Sequence, residues 1–257
     1  MNLKSITRSI FHALGFEIHY TTPRTPPPYG SDTQPLGHIE HFLGDVRARG
    51  FAPRGIVDVG ANRGDWARLA LKMFPEAAIL MIEPQEEMQA RLTELAQSRP
   101  GCHYVKAGAG RESGELVQTI WPDLAGSSFL PPADDGQLKA GTQRKTPIIT
   151  LDKLLTKTYP NFSPDLVKLD VQGFELEALA GGASLFGRTE LFILETSLFS
   201  FMPGQPVTRE VIAYFAERGY ELYDIPGYLR RPSDGALGQI DLAFVKANGH
   251  FRASAAW

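Results

Sequence analysis

Four acidic residues stand where they could do chemistry. Asp58, Glu83, Asp170 and Glu195 each lie at or near the end of a short apolar run, in Gly55-Ile56-Val57-Asp58-Val59, Ala78-Ile79-Leu80-Met81-Ile82-Glu83, Leu166-Val167-Lys168-Leu169-Asp170-Val171 and Leu191-Phe192-Ile193-Leu194-Glu195-Thr196. A carboxylate accepts hydrogen bonds from hydroxyls and amines, attracts a cation, can take a proton as a general base, and repels phosphate. Continuous apolar runs of this length read as strands of a parallel sheet covered on both faces, and in an open α/β sheet the ligand crevice lies at the carboxyl ends of the strands. Four acids brought to one such rim would suit a ligand that carries hydroxyls and positive charge.

The first run continues into Gly60-Ala61-Asn62-Arg63-Gly64-Asp65, where the glycines permit a tight turn and Asp65 can cap a helix expected from Trp66 to Phe74. A dinucleotide pyrophosphate needs glycines spaced as GxGxxG and bare helix N-terminal amides. Here Asn62 replaces the middle glycine, and Asp58 precedes the turn where it would repel a phosphate. The turn therefore favours S-adenosylmethionine, which is cationic and carries no phosphate. Glu83, about 20 residues beyond the turn at the tip of the second strand, is placed to hold a ribose by its hydroxyls. Ala107 and Gly108, in Lys106-Ala107-Gly108-Ala109-Gly110, are small enough for an adenine ring to lie against the backbone. Lys168 and Asp170 share one face of their strand, and because a charge buried alone is costly they are expected to pair or to sit at the open sheet edge.

With 257 residues and 43% hydrophobic composition the chain can build one large α/β domain, which excludes disorder throughout. A net charge of -3 creates no field that would gather nucleic acid or an anionic membrane. The single Cys102 cannot close an internal disulfide and reads as a buried thiol in a reducing compartment. No apolar stretch approaches the roughly 20 residues that span a bilayer, and the opening lacks a small-residue cleavage site, so a cytoplasmic protein is expected. No histidine or cysteine spacing indicates a transition-metal site, and no metal is expected; only a hard, oxygen-bound cation such as magnesium would suit these carboxylates.

The elements that must position the acids follow in order. Residues 1–35 form an arm: Ile6, Ile10, Phe11, Leu14 and Ile18 recur at helical spacing among basic residues, and a proline-rich linker runs from Thr21 to Pro35. That helix is expected to pack on its own domain, in preference to a membrane surface or a partner. The main domain occupies 36–257. It opens with a helix over Leu36 to Arg49, and after the second strand a helix runs from Pro84 to Gln97. A third strand is expected near His103 to Ala109, followed by short β pieces around 115–130 that read as inserted hairpins or a flexible loop. An extended piece covers 147–151, and further helices start at Asp152, Glu175 and Val207. Two final strands, Tyr220 to Ile225 and Asp241 to Lys246, read as an antiparallel edge hairpin separated by a loop over 226–239.

Taken together, Val57-Asp58-Val59-Gly60-Ala61-Asn62-Arg63-Gly64, Ile82-Glu83-Pro84, Thr150-Leu151-Asp152, the block from Leu166 to Leu179 containing Lys168-Leu169-Asp170-Val171-Gln172-Gly173-Phe174-Glu175, and Asp241-Leu242-Ala243-Phe244-Val245 resemble the FkbM family of S-adenosylmethionine-dependent methyltransferases. The resemblance spans roughly Gly55 to Lys246, and nothing in the family pattern covers Met1 to Pro53. It implies an α/β Rossmann-like class I methyltransferase fold, a mostly parallel seven-stranded sheet whose last strand is antiparallel. It also implies cofactor contacts at Asp58, Gly60, Asn62 and Glu83, with Asp170 beside both cofactor and acceptor, and O-methylation of sugars or secondary metabolites. Gln172 departs from the glutamate often found there in the family, which removes one candidate base.

Methyl transfer from a sulfonium is an in-line displacement, so holding the acceptor oxygen near the methyl group supplies most of the acceleration, and a base removes the hydroxyl proton. Asp170 is the first candidate base, Glu195 the second and His38 a distant third; Lys168 would orient Asp170. Two rival readings remain on the sequence: an NAD-dependent sugar oxidoreductase, against which the incomplete glycine pattern argues, and a catalytically silent glycan-binding protein. The aromatic residues around Phe199 to Met202 and Tyr223 to Tyr228 are candidates for stacking on a sugar face or for packing.

Overall fold

The structure, a computed structural model, describes residues 35–254. The expected N-terminal helix and all of the proline-rich linker except Pro35 lie outside these residues. The chain order is α1 (Ile39–Ala48), β1 (Gly55–Val59), α2 (Asp65–Met73), β2 (Ala78–Ile82), α3 (Gln89–Gln97), β3 (Cys102–Val105), β4 (Gly108–Ala109), β5 (Gly114–Thr119), α4 (Asp135–Lys139), β6 (Gln143–Ile149), α5 (Leu151–Lys153), β7 (Leu166–Leu169), α6 (Glu175–Ala180), β8 (Leu191–Ser197), α7 (Thr208–Ala216), β9 (Tyr220–Arg230) and β10 (Leu237–Lys246).

Among the described residues, seven strands form one sheet in the order β3-β2-β1-β7-β8-β10-β9. Neighbours from β3 to β8 are parallel, and β10 runs antiparallel to both β8 and β9, so β10 alone is reversed. The fold is the α/β, mostly parallel arrangement expected for a Rossmann-like class I methyltransferase. From β1 the chain winds outward through β2 to β3, then returns to the other side of β1 at β7. Strand order thus reverses between β1 and β7, and a crevice opens where their carboxyl ends part.

Period-two alternation along the strands divides the core into two layers. Ile56, Ile79, Met81 and Ile193 face α1, α2 and α3, where Phe42, Leu43, Ala67, Leu71 and Leu92 cover them. Val57, Val59, Leu80, Val167 and Phe192 face the opposite way, against Leu154, Leu179, Val211 and Phe215. Phe215 of α7 stacks on Phe244 of β10 with ring centroids 4.1 Å apart, which ties the reversed strand to the helix above it.

Several local expectations need correction. Asp65 is the first residue of α2 rather than its cap; the cap position is Gly64, at φ 79°. The third strand ends at Val105, and Gly108–Ala109 belongs to a separate three-stranded sheet, ordered β4-β6-β5. The region expected as loose hairpins is therefore a second small sheet, laid over the crevice. The helix expected from Asp152 is capped one residue pair earlier by Thr150, whose hydroxyl accepts the Lys153 amide, and it continues as a π-helical turn over Leu154–Thr158. β9 and β10 are far longer than the apolar pattern indicated, because glycine, proline and arginine at 226–230 remain in the ladder and only a short turn at 231–236 separates the strands.

Candidate active site

A cavity of about 360 Å³ occupies the switch point, within the usual size range of small-ligand sites. β1 delivers Gly60 and Asn62, β2 delivers Glu83, the β3 to β4 connection delivers Ala107 and Gly108, β7 delivers Asp170, and β8 delivers Glu195; all seven line the cavity. Asp58 and Lys168 do not. Asp58 is fully buried, and neither carboxylate oxygen accepts a hydrogen bond from a described residue. The direct cofactor contact expected of Asp58 is thus corrected: its side chain is on the α1 to α3 face of β1, beneath the turn, where period-two alternation turns it away from the cavity.

Register explains the charge arrangement beneath the site. Asp58 pairs laterally with Lys168 across the β1 to β7 ladder. The Lys168 ammonium lies 3.4 Å from Asp58 and 3.4 Å from Asp170, donates to the Gly60 carbonyl at 3.2 Å, and sits 5.9 Å above the Trp66 ring. Burial opposes the lysine's charge, but the Asp170 and Asp58 carboxylates outweigh it and raise its pKa. Burial raises the pKa of Asp58, and Lys168 opposes that shift. Lys168 thus links the acid under the turn to the acid on the rim, behind the cavity wall.

Gly60 has φ 78°, and a Cβ there would collide with the Asp170 carbonyl, so the two strand ends approach each other only with glycine at this place. Asn62 takes the left-handed conformation at φ 46°, which asparagine tolerates better than most residues, and its side-chain oxygen accepts the Arg63 amide. The Asn62 amide donates to Glu83 Oε2 at 2.8 Å, and the Gln85 amide donates to Glu83 Oε1 at 2.9 Å. Burial raises the Glu83 pKa, and these two amides oppose the rise. Each carboxylate oxygen has a second lone pair, so Glu83 retains acceptor capacity toward the cavity.

On the other wall, the Gln172 carboxamide donates to Asp170 Oδ1 at 2.8 Å and to Glu195 Oε2 at 2.7 Å, and Gln239 donates to the same Glu195 oxygen at 2.9 Å. Gln172 has φ 54°, and its carbonyl accepts the Ser128 hydroxyl at 2.7 Å, which pins the bridging residue to the segment beside the small sheet. Burial, followed by the Asp170, Glu175 and Asp241 carboxylates, pushes Glu195 well above the ordinary carboxylate range, against the Lys168 charge. Asp170, with 36% of its side chain exposed, opens onto the cavity.

Three of these residues carry no site role in the sequence: Gln172 stands where the family often has an acid, Gln239 has no local signature, and Asp241 opens an apolar strand within a block shared with the family. Because β10 is reversed, its amino end meets the carboxyl end of β8, and Asp241 stands directly opposite Glu195. An acid inside an apolar strand was the available clue. His38 lines neither this cavity nor the one beside it, so it is not brought to Asp170. Phe199 and Phe201 lie on an exposed loop, and Tyr223 packs on Phe251; of the aromatic candidates, Tyr228 reaches a cavity.

The residues present fit a cationic nucleoside. No lysine, arginine or histidine lines the cavity among the described residues, while Glu83, Asp123, Asp170 and Glu195 do. A pyrophosphate would meet only like charge here. No helix among the described residues is long and apolar enough to cross a membrane.

The chain is 30% identical over 153 residues to the methyltransferase sdnD of Sordaria araneosa, covering 49% of this chain and 59% of that one. It is 28% identical over 175 residues to the 2-O-methyltransferase NoeI of Sinorhizobium fredii, covering 61% and 69%. The chain thus spans less than two thirds of the length of the Sordaria protein. Among solved structures, 1,6-didemethyltoxoflavin-N1-methyltransferase of Burkholderia thailandensis aligns with a TM-score of 0.43 and 14% identity over 81% of this chain and 76% of that one. Residues 58–222, more than half of the chain, match the model of the Methyltransferase FkbM domain. The chain belongs to the FkbM methyltransferase family.

Proposed function

We propose that the protein transfers a methyl group from S-adenosylmethionine to a hydroxyl oxygen of a sugar, a glycan or a secondary metabolite. The observation that carries this reading is the convergence of Glu83, Asp170 and Glu195 on one cavity that, among the described residues, no basic side chain lines. The cofactor would supply an electrophilic methyl group on a sulfonium. Glu83 would accept the ribose hydroxyls, Ala107 and Gly108 would leave room for the adenine beside Phe129, and the Asp170 rim would face the cationic end. A Cβ at position 108 would run into the Phe129 ring, so glycine keeps that wall thin.

Asp170 is the proposed base. It is the acid that is paired with Lys168 yet partly open to the cavity, and the Gln172 carboxamide fixes one of its oxygens. Its other oxygen, Oδ2, lies 3.4 Å from the Lys168 ammonium and keeps a lone pair that would accept the proton of an acceptor hydroxyl as the methyl group passes from sulfur to that oxygen. Glu195, held by two carboxamides and with its pKa raised, is better suited to positioning the acceptor than to taking its proton. The name of the Sinorhizobium relative, a 2-O-methyltransferase, supports transfer to oxygen.

Calorimetry with S-adenosylhomocysteine and fluorescence titration with NADH test this reading side by side. S-adenosylhomocysteine should bind and NADH should not, and Glu83→Ala should abolish the binding. Saturable NADH binding with no affinity for S-adenosylhomocysteine would replace the reading with an oxidoreductase.

A further inference from the structure

A second cavity of about 300 Å³ adjoins the first and shares Asp170, Glu195, Leu229 and Gln239 with it. We propose that this second cavity is the acceptor subsite and that Asp241 is its specificity-determining residue, admitting uncharged hydroxyl-bearing acceptors and rejecting those that carry phosphate or carboxylate. The proposal rests on the methyl-transfer reading and adds the acceptor's location and charge.

Contiguity gives the location. A molecule seated in the second cavity places its nearest atoms beside Asp170 and Glu195, the groups that also line the first, so the two ligands meet at the proposed base. Lining chemistry gives the charge. Ile39, Pro226, Tyr228 and Leu229 offer apolar surface to a ring face, while Gln239 and Asp241 offer polar groups. No lysine, arginine or histidine lines the cavity among the described residues, so nothing there would compensate an acceptor's negative charge.

Asp241 is built into this wall by the hairpin. It lies opposite Glu195 on β8 and opposite Gly227 on β9. Its carboxylate fills the place that a Cβ at 227 would take, so glycine there is what lets the acid lean across β9. No described residue donates a hydrogen bond to it or forms an ion pair with it, which leaves its lone pairs for ligand hydroxyls. Burial, then the Asp170 carboxylate, raises its pKa to about 6, so at pH 7.5 it is mostly charged.

The test is binding to protein saturated with S-adenosylhomocysteine at pH 7.5, followed by saturation-transfer NMR and calorimetry. The probes are methyl glucoside and methyl fucoside, set against glucose 6-phosphate and methyl glucuronide. The uncharged glycosides should bind and the anionic ones should bind at least tenfold more weakly, with the difference narrowed several-fold in Asp241→Asn. Glycosides that fail to bind while S-adenosylhomocysteine does, anionic probes that bind as well as neutral ones, or an unchanged preference in Asp241→Asn would each overturn the proposal. Failure of S-adenosylhomocysteine itself to bind would remove the methyl-transfer reading as well, which separates the two. The wild-type comparison stands even where the variant folds poorly.

Discussion

At the residue scale the site depends on two linked charge systems, one behind the cavity wall and one in front of it. Asp170 belongs to both, through Lys168 and through Gln172. Asp170→Asn should lower turnover by about 10²- to 10⁴-fold, the usual worth of a general base, while S-adenosylhomocysteine affinity measured by calorimetry changes little. Equal losses of both would make Asp170 a binding residue instead. Gln172→Glu sets a third carboxylate between two others at the positions where Gln172 now donates at 2.8 and 2.7 Å. Repulsion should raise the apparent pKa of the group and move the acidic limb of the pH–rate profile upward. Lys168→Met leaves Asp58 buried with no cation beside it. Loss of one partner from a buried pair typically costs about 3–5 kcal/mol, which thermal unfolding would register.

At the element scale, the turn after β1 and the reversed strand β10 decide what the rim can hold. Gly60→Ala would demand a left-handed alanine and drive its Cβ into the Asp170 carbonyl. The expected result is a lower melting temperature together with loss of S-adenosylhomocysteine binding, because the same backbone forms the cavity edge. Phe215→Ala acts elsewhere: it empties a fully buried position between α7 and β10 and should cost about 3–5 kcal/mol by denaturant titration. Its effect on cofactor affinity should be small once the folded fraction is accounted for, since Phe215 lines neither cavity. The small β4-β6-β5 sheet lines the crevice through Gly108, Ala109 and Gln118, and the Ser128 bond to Gln172 ties its flank to the opposite cavity wall.

At the scale of the whole molecule, the fold gathers many acids at one sheet edge, and stability should reflect that. Burial pushes Glu175 up to about 7, against amides of Val171 and Gly173 that its carboxylate accepts, and Asp241 up to about 6. An acid whose folded pKa lies above its unfolded value holds its proton longer in the native state. Its contribution is therefore fully present below about pH 4.5 and is lost as pH rises through the folded value. Unfolding free energy should fall between about pH 4.5 and 7 through Glu175 and between about pH 3.8 and 6 through Asp241, by up to about 1.4 kcal/mol per pH unit for each group, and Glu175→Gln should flatten the slope in its own window. A slope identical in wild type and variant would show that Glu175 does not titrate in this window.

Apolar runs and glycine positions by themselves determined the parallel core of this protein, since a strand buried on both faces is mostly apolar and a turn at positive φ has few residues to choose from. The same runs placed Glu83, Asp170 and Glu195 at the rim, because the carboxyl end of a parallel strand is fixed by chain direction. Tertiary structure alone decided that Asp58 faces inward to Lys168, which depends on the β1 to β7 register. It alone brought Gln172, Gln239 and Asp241 to the site, through a left-handed backbone, a reversed strand and a long hairpin. Contacts between residues 23 to 44 positions apart have no local signature, so no reading of neighbours along the chain could have found them.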